Sequence, residues 1–181
     1  MSIDRIPVFV WLRAALATAL IAACSPVETS RDQSPSTVSE DAEDTERHPI
    51  SGLEIIDVTV VTADERITFK TELAASSEAQ TRGLMFRTKL ADDEAMIFPS
   101  DIPQNRSFWM RNTPISLDII FIGTDGRITN IAERTEPYSL ESVPSAGLAT
   151  AVLEIRGGLS DELGIAPGNA VEYRLPEKAR E

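Results

Sequence analysis

The chain has 181 residues, a formal net charge of −12, one cysteine and one histidine. So acidic a balance speaks against nucleic acid or an anionic membrane surface as the partner of the folded part. A lone cysteine permits no internal disulfide, so the domain must be held by its core alone.

The first residues read as an export signal. Arg5 and Arg13 precede an apolar run from Ala14 to Ala23, the order of a charged region and an apolar region in a signal peptide. The run falls short of the about 20 residues that a membrane-spanning helix needs. It ends in Ile21-Ala22-Ala23-Cys24, which resembles the lipobox of bacterial lipoproteins. That resemblance implies cleavage of residues 1–23 and lipid on Cys24; the bland alternative is a buried N-terminal helix with an ordinary free thiol. Two or more acyl chains anchor stably where one does not. Ser25 is not the Asp that retains enteric-type lipoproteins at the inner membrane, so the expected address is the periplasmic face of the outer membrane.

From Ser25 to Ser51 the composition shifts to Ser, Thr, Pro, Glu and Asp, too poor in apolar surface to offset the entropy of ordering. Residues 24–51 therefore read as lipidated cysteine plus acidic tether. Seven acids face Arg31 and Arg47 there, and their repulsion should extend the chain beyond the roughly 30 Å of a flexible coil of that length. His48, the only histidine, falls in this stretch and reads as solvated tether.

Residues 52–178 form one globular domain, followed by a short tail, 179–181. From residue 52 onward 21 acids face 13 bases. Ile55 to Thr62 and Arg66 to Leu73 are rich in β-branched residues and read as a hairpin. Ser76 or Ser77 caps a short helix that Gly83 ends. Ala95 to Phe98, Ser107 to Met110, Leu117 to Ile122, Arg127 to Ala132, Thr150 to Ile155 and Ala170 to Leu175 follow as strands. Gly123-Thr124-Asp125-Gly126 supplies a hairpin turn, and Gly158 to Leu163 a second short helix stopped by Gly164. The fold expected is mainly β within the α+β class: a small, antiparallel, partly closed barrel-like domain with two short helices.

The chemistry is bounded first by what is missing. With His48 assigned to the tether and Cys24 to the lipid, the domain has no residues for a Ser-His-Asp triad, a cysteine nucleophile or a His/Cys zinc site. No Gly-rich loop opens a helix after a strand, so no nucleotide cofactor is implied. Carboxylates, hydroxyls, arginines and aromatics remain.

They concentrate in Gly83-Leu84-Met85-Phe86-Arg87, Ala95-Met96-Ile97-Phe98, Phe108-Trp109-Met110-Arg111-Asn112-Thr113 and Leu117-Asp118-Ile119-Ile120-Phe121. In order and spacing these four segments resemble the family DUF192, and the likeness continues through Asp125-Gly126, Val152-Leu153-Glu154, Leu163-Gly164-Ile165 and Pro167-Gly168. Ala95 stands where that family usually has Gly, and Asn169 where Asp is usual. The family has no established activity, so the resemblance implies a fold and leaves the function open.

Strand alternation puts Phe108 and Met110 on one face and Ser107, Trp109 and Arg111 on the other. Trp109 either closes the core, the commoner role of an aromatic, or offers a platform for a sugar or other small polar ligand with polar groups at its rim. Asp118 shares a face with Ile120 and Ile122 and must be compensated by a base or by backbone N–H groups; Arg87, Arg106 and Arg111 are the bases available. Asn112-Thr113-Pro114 reads as a turn. Met85, Met96 and Met110 could suit Cu(I) but fit core filling better, so no metal is assigned. Asp92, Asp93 and Glu94 read as a solvated loop more readily than a calcium site.

Arg87, Ser107, Trp109, Arg111, Asn112 and Asp118 are thus the ligand-binding candidates. They favour a noncatalytic envelope module that binds a small polar ligand or an envelope protein. A carboxylate-based hydrolase acting on glycan would need Asp118 and Glu154 about 5–9.5 Å apart across a cleft. A purely structural lipoprotein would need no cavity.

Overall fold

The structure, a computed structural model, describes residues 46–177. The signal region, Cys24, the tether up to residue 45 and the C-terminal tail lie outside the described residues.

Seven strands and two short helices make up the domain: β1 (Ile55–Val61), β2 (Arg66–Leu73), α1 (Ser77–Arg82), β3 (Glu94–Phe108), β4 (Leu117–Gly123), β5 (Ile128–Ala132), β6 (Val143–Arg156), α2 (Leu159–Glu162) and β7 (Ala170–Tyr173). They form one sheet in the order β5-β4-β6-β3-β2-β1-β7. All neighbours are antiparallel except β2 and β3, which run parallel because α1 carries the chain across between them. The two edges approach each other at one end. Arg127 bridges Ala170, the Ile128 N–H donates to the Asn169 carbonyl at 2.9 Å, and the Val171 N–H donates to the Gly126 carbonyl at 2.8 Å. The curled sheet is therefore a partly closed barrel, as its sequence suggests.

Local chemistry explains the element ends. The Ser76 hydroxyl accepts the Ala79 N–H at 3.1 Å and caps α1, satisfying one of the donors that a helix start leaves open. Gly83, at φ 49°, then turns the chain under Phe98. At the other turn, Asn169 does without the carboxylate its position usually carries, because its amide oxygen accepts the Ala166 N–H at 2.8 Å.

Two expectations change. Ala95–Phe98 and Ser107–Met110 belong to one 15-residue strand, β3, with register shifts between Pro99 and Gln104 and between Asn105 and Ser107. Prolines cannot donate to a ladder and are tolerated at such irregularities. The partner β6 is correspondingly longer than Thr150–Ile155, and both strands are largely exposed in their added portions. An exposed two-stranded arm carries no apolar alternation, which is why the sequence breaks it up.

The second change concerns His48. It is buried, not solvated. Residues 46–55 form a small hairpin through the Arg47–Glu54 bridge, with the His48 N–H on the Leu53 carbonyl and the Ile55 N–H on the Glu46 carbonyl, both at 2.8 Å. The fold thus begins before Gly52.

Both sheet faces are covered. Val58, Val60, Phe69, Ile97, Ile120, Ile122, Leu153 and Ile155 fill the inside of the curl. Met96, Phe98, Leu117, Ile119, Phe121 and Val152 form a second core on the opposite face, against Leu84, Leu90 and Met110. Because β4 is sandwiched between the two, it is buried along its whole length. Each such Leu, Ile or Phe contributes about 1.5–3 kcal/mol.

Candidate functional site

Asp118 and Glu154 decide what the carboxylates can do. Asp118 opposes Ile155 across the β4–β6 ladder, whereas Glu154 opposes Ile119. Directly opposed residues share a face and successive residues alternate, so the two carboxyl groups point to opposite sides of the sheet. They cannot flank one cleft. Asp118 is fully buried and accepts four hydrogen bonds: from the backbone N–H groups of Arg134 (2.7 Å), Gly158 (2.8 Å) and Ser160 (2.9 Å), and from the Ser160 hydroxyl (2.6 Å). It ties α2 and the segment after β5 to the sheet. Backbone donors, not Arg87, Arg106 or Arg111, compensate it.

Arg87 serves another acid. Its Nη2 donates to Glu72 Oε1 at 2.5 Å, and both side chains are over nine-tenths buried. His48 Nδ1 lies 3.2 Å from the same Nη2 and accepts from the Ile50 and Ser51 N–H groups at 3.3 and 3.5 Å. Among the described residues Arg87 is the cation hydrogen-bonded to Glu72, and His48 Nδ1 stands 3.6 Å from Glu72 Oε2. Glu72 Oε2 itself has no hydrogen-bond partner among the described residues.

On the second-core face a cavity of about 1100 Å3 opens between α1, Gly83–Met85 and the chain from Arg106 to Thr113. Glu154 lines it. The carboxyl is buried, accepts no hydrogen bond among the described residues, and is pushed up to about 8 by desolvation, so at neutral pH it carries a proton. Trp109 lies at the rim, 50% exposed, with the Arg111 guanidinium 5.5 Å from its ring centre. It does not close the core. A smaller hollow on its other side, about 230 Å3, is lined by Ser107, Leu140 and Ser142, where the two serine hydroxyls are 2.5 Å apart.

Strained turns adjoin the cavity-lining residues. Phe86, Asn112 and Tyr138 have φ of 65°, 55° and 63°, a region that bulky side chains enter only when their surroundings force it. The Phe86 N–H donates to the Asn112 carbonyl at 2.8 Å, and the Tyr138 N–H to that of Thr113 at 3.1 Å. Phe86 and Tyr138 remain exposed. Asn112 thus fixes the turn and also donates through its side chain to Met85 Sδ at 3.8 Å.

Met96 and Met110 are core residues, and the Thr135 hydroxyl donates to Met110 Sδ at 3.2 Å; gap filling describes them. Asp92 pairs with Arg156 at 2.5 Å, and Glu94 accepts the Ala91 N–H. Of the sequence candidates, Ser107, Trp109, Arg111 and Asn112 meet at the cavity, while Arg87 and Asp118 lie elsewhere. Sequence reasoning passed over Glu72, His48 and the placing of Arg106. The alternation of β2 puts Glu72 in step with exposed Arg66, Thr68 and Lys70, and only the later packing of His48 and Arg87 buries it.

With this geometry in place, the kinship can be stated. The profile of DUF192, described as an uncharacterized ACR, matches residues 58–173. The chain belongs to the DUF192 family. A protein of unknown function from Novosphingobium aromaticivorans DSM 12444 is 52% identical, with a TM-score of 0.70 over 72% of this chain and 94% of its own. That relative consists almost wholly of the matched region. A candidate transcription regulator from Sinorhizobium meliloti 1021 is 32% identical, with a TM-score of 0.65 over 67% of this chain and 95% of its own. No curated protein matches.

Proposed function

We propose that this DUF192 domain is a noncatalytic binding module that holds a small polar ligand in the cavity between Trp109 and Glu154. One observation carries the reading: Glu154, largely buried and without a hydrogen bond among the described residues, lines a cavity of ligand size. Ligand sites combine an apolar wall with a few polar groups of this kind. Phe98, Phe108 and Met110 supply the wall; Ser107, Arg111 and Asn112 supply the rim. A purely structural role gives no reason for the cavity, and Asp118 and Glu154, the pair a two-carboxylate hydrolase would use, point to opposite sides of the sheet.

Trp109 is the only tryptophan from Glu46 onward, so its fluorescence reports the site directly. Titrating the domain with envelope saccharides and small acids should give a saturable change in emission that Glu154→Leu abolishes. An emission that no compound moves would sink the reading.

The same proposal puts the module in the cell envelope, cut before Cys24, lipidated there, and held by an acidic tether at the outer membrane. Incorporation of labelled palmitate, lost in Cys24→Ser, is the expected result. The name of the Sinorhizobium relative brings no nucleic-acid role here, since 29 acids against 17 bases repel phosphate.

A further inference from the structure

Four arginines of the domain have carboxylate partners: Arg66 with Glu172, Arg87 with Glu72, Arg134 with Asp161 and Glu133, and Arg156 with Asp92 and Glu162. Arg47, Arg82, Arg106, Arg111, Arg127 and Arg174 have none among the described residues, and of these Arg82, Arg106 and Arg111 line the cavity. For Arg82 and Arg111 this needs no explanation, because both are exposed and an exposed guanidinium is solvated.

Arg106 is different. It is half-buried, and burial lowers its pKa. Its guanidinium donates to the Ser100 hydroxyl and, at 3.3 Å, to Gln80 Oε1, and it lies 5.4 Å from the centre of the Phe108 ring. Gln80 is itself pinned, because its Nε2 donates to the Pro99 carbonyl at 2.9 Å. Every group that positions Arg106 is neutral. The fold therefore holds a guanidinium in place at the cavity wall and supplies no anion to it, although desolvating a cation without a counter-charge costs free energy.

Arg106 and Glu154 could have cancelled one another, but no ion pair or hydrogen bond joins them among the described residues. One cavity thus holds a cation without an anion and a carboxyl that accepts no hydrogen bond among the described residues. A cationic ligand would answer Glu154 and add a second positive charge beside Arg106. A neutral sugar would answer Glu154 and leave Arg106 as it is. An oxyanion answers both, because a guanidinium and a protonated carboxyl are both donors.

Resting on the reading of the cavity as a ligand site, we propose that its ligand carries a carboxylate, received by Arg106 together with Glu154, and an apolar body that lies against Leu84, Phe98 and Trp109. The carboxylate oxygens accept from the guanidinium fork, in an enclosure that Glu154 also lines with its carboxyl O–H. Trp109, with Arg111 on its ring, covers the apolar part.

This arrangement has a pH signature. The charged groups that face Glu154 are Glu78 and Arg82 from α1 and Arg106 and Arg111 from β3 and the turn after it; Glu72, with Arg87 and His48, lies on the same sheet face beyond Met96. Once Glu154 loses its proton near pH 8, its O–H donor is gone and two negative charges would share one enclosure. Binding of an acid should therefore weaken as pH rises through about 8.

The test uses matched probes, 4-phenylbutyrate and the neutral 4-phenylbutyramide. Both are titrated into the domain from Glu46 to the C-terminus, with the Trp109 indole N–H read in the 1H–15N spectrum. The acid is expected to bind about tenfold more tightly than the amide at pH 6.5. Arg106→Gln should erase that preference. Glu154→Gln, which keeps a donor and cannot ionise, should keep the preference and lose the weakening between pH 7 and 9. The same spectra show whether each variant is folded. Equal binding of acid and amide, or a preference that survives Arg106→Gln, overturns the proposal while the ligand site stands. If neither probe moves the Trp109 signal, the ligand site falls as well.

Discussion

Asp118 and Glu154 lie buried on neighbouring strands, one residue out of step in the same ladder, and the fold treats them in opposite ways. Asp118 receives four donors and holds α2 and the chain around Arg134 to the sheet. Glu154 receives none and keeps its proton against an open cavity. Burial alone therefore does not mark a functional acid. What distinguishes the two is whether the fold has already spoken for the oxygens.

The largest test of that contrast is Asp118→Ala. It strips an acceptor from three buried N–H groups and a hydroxyl, and should cost about 3–5 kcal/mol in urea unfolding. Glu154→Leu, by the same reasoning, should cost nothing or stabilise the domain. If both substitutions destabilise equally, the contrast is wrong.

Arg87→Met comes next. It leaves Glu72 buried with no cation, and should cost about 3 kcal/mol. Replacing both partners together, Glu72→Leu with Arg87→Met, should recover most of that loss. An unchanged double variant would mean that His48, not Arg87, stabilises Glu72.

The third test is pH. Between the ordinary value of 4.5 and the folded value of about 8, the native state holds the Glu154 proton while the unfolded chain has released it. Stability should therefore fall as pH rises through this window, by up to about 1.4 kcal/mol per pH unit. Glu154→Gln should remove that share of the slope. A slope identical in the two proteins would show that Glu154 is already ionised.

Smaller again is the effect of starting the domain at Gly52 instead of Glu46. The shorter version loses the His48 hairpin and uncovers Glu72, at about 1–2 kcal/mol. Equal stability of the two versions would return His48 to the tether.

Much of the fold was legible because its evidence is local. The cap of α1, the Asp125-Gly126 hairpin and the alternation of β1, β2 and β4 are written within a few residues of where they act. The site was legible in half. Ser107, Trp109, Arg111 and Asn112 could be found because they crowd a single segment. Arg106 could not be ranked, since its meaning depends on Gln80, 26 positions earlier, and on the carbonyl of Pro99. Arg87, Arg106 and Arg111 were the bases expected near Asp118 because a buried carboxylate needs compensation by a base or by backbone N–H groups. Neither partner could be read locally: Glu72 sits on a strand where alternation says solvent, and the Ser160 donors lie 42 residues from Asp118. The polar arm of β3 and β6 was hidden for the opposite reason, since it buries nothing and leaves no hydrophobic trace.

The hairpin at residues 46–55 has one further consequence, a mechanical one. Any pull arriving along the chain from its N-terminal side reaches the Glu46–Ile55 bond first, then the His48–Leu53 bond and the imidazole beside Arg87. These links are loaded one after another, as in a zipper, before the sheet bears any force. Arg87 is followed back along the chain by Phe86, whose N–H donates to the Asn112 carbonyl, and by Met85, which lines the cavity. Arg87, which the clasp touches, is thus two residues from Met85 in the cavity wall.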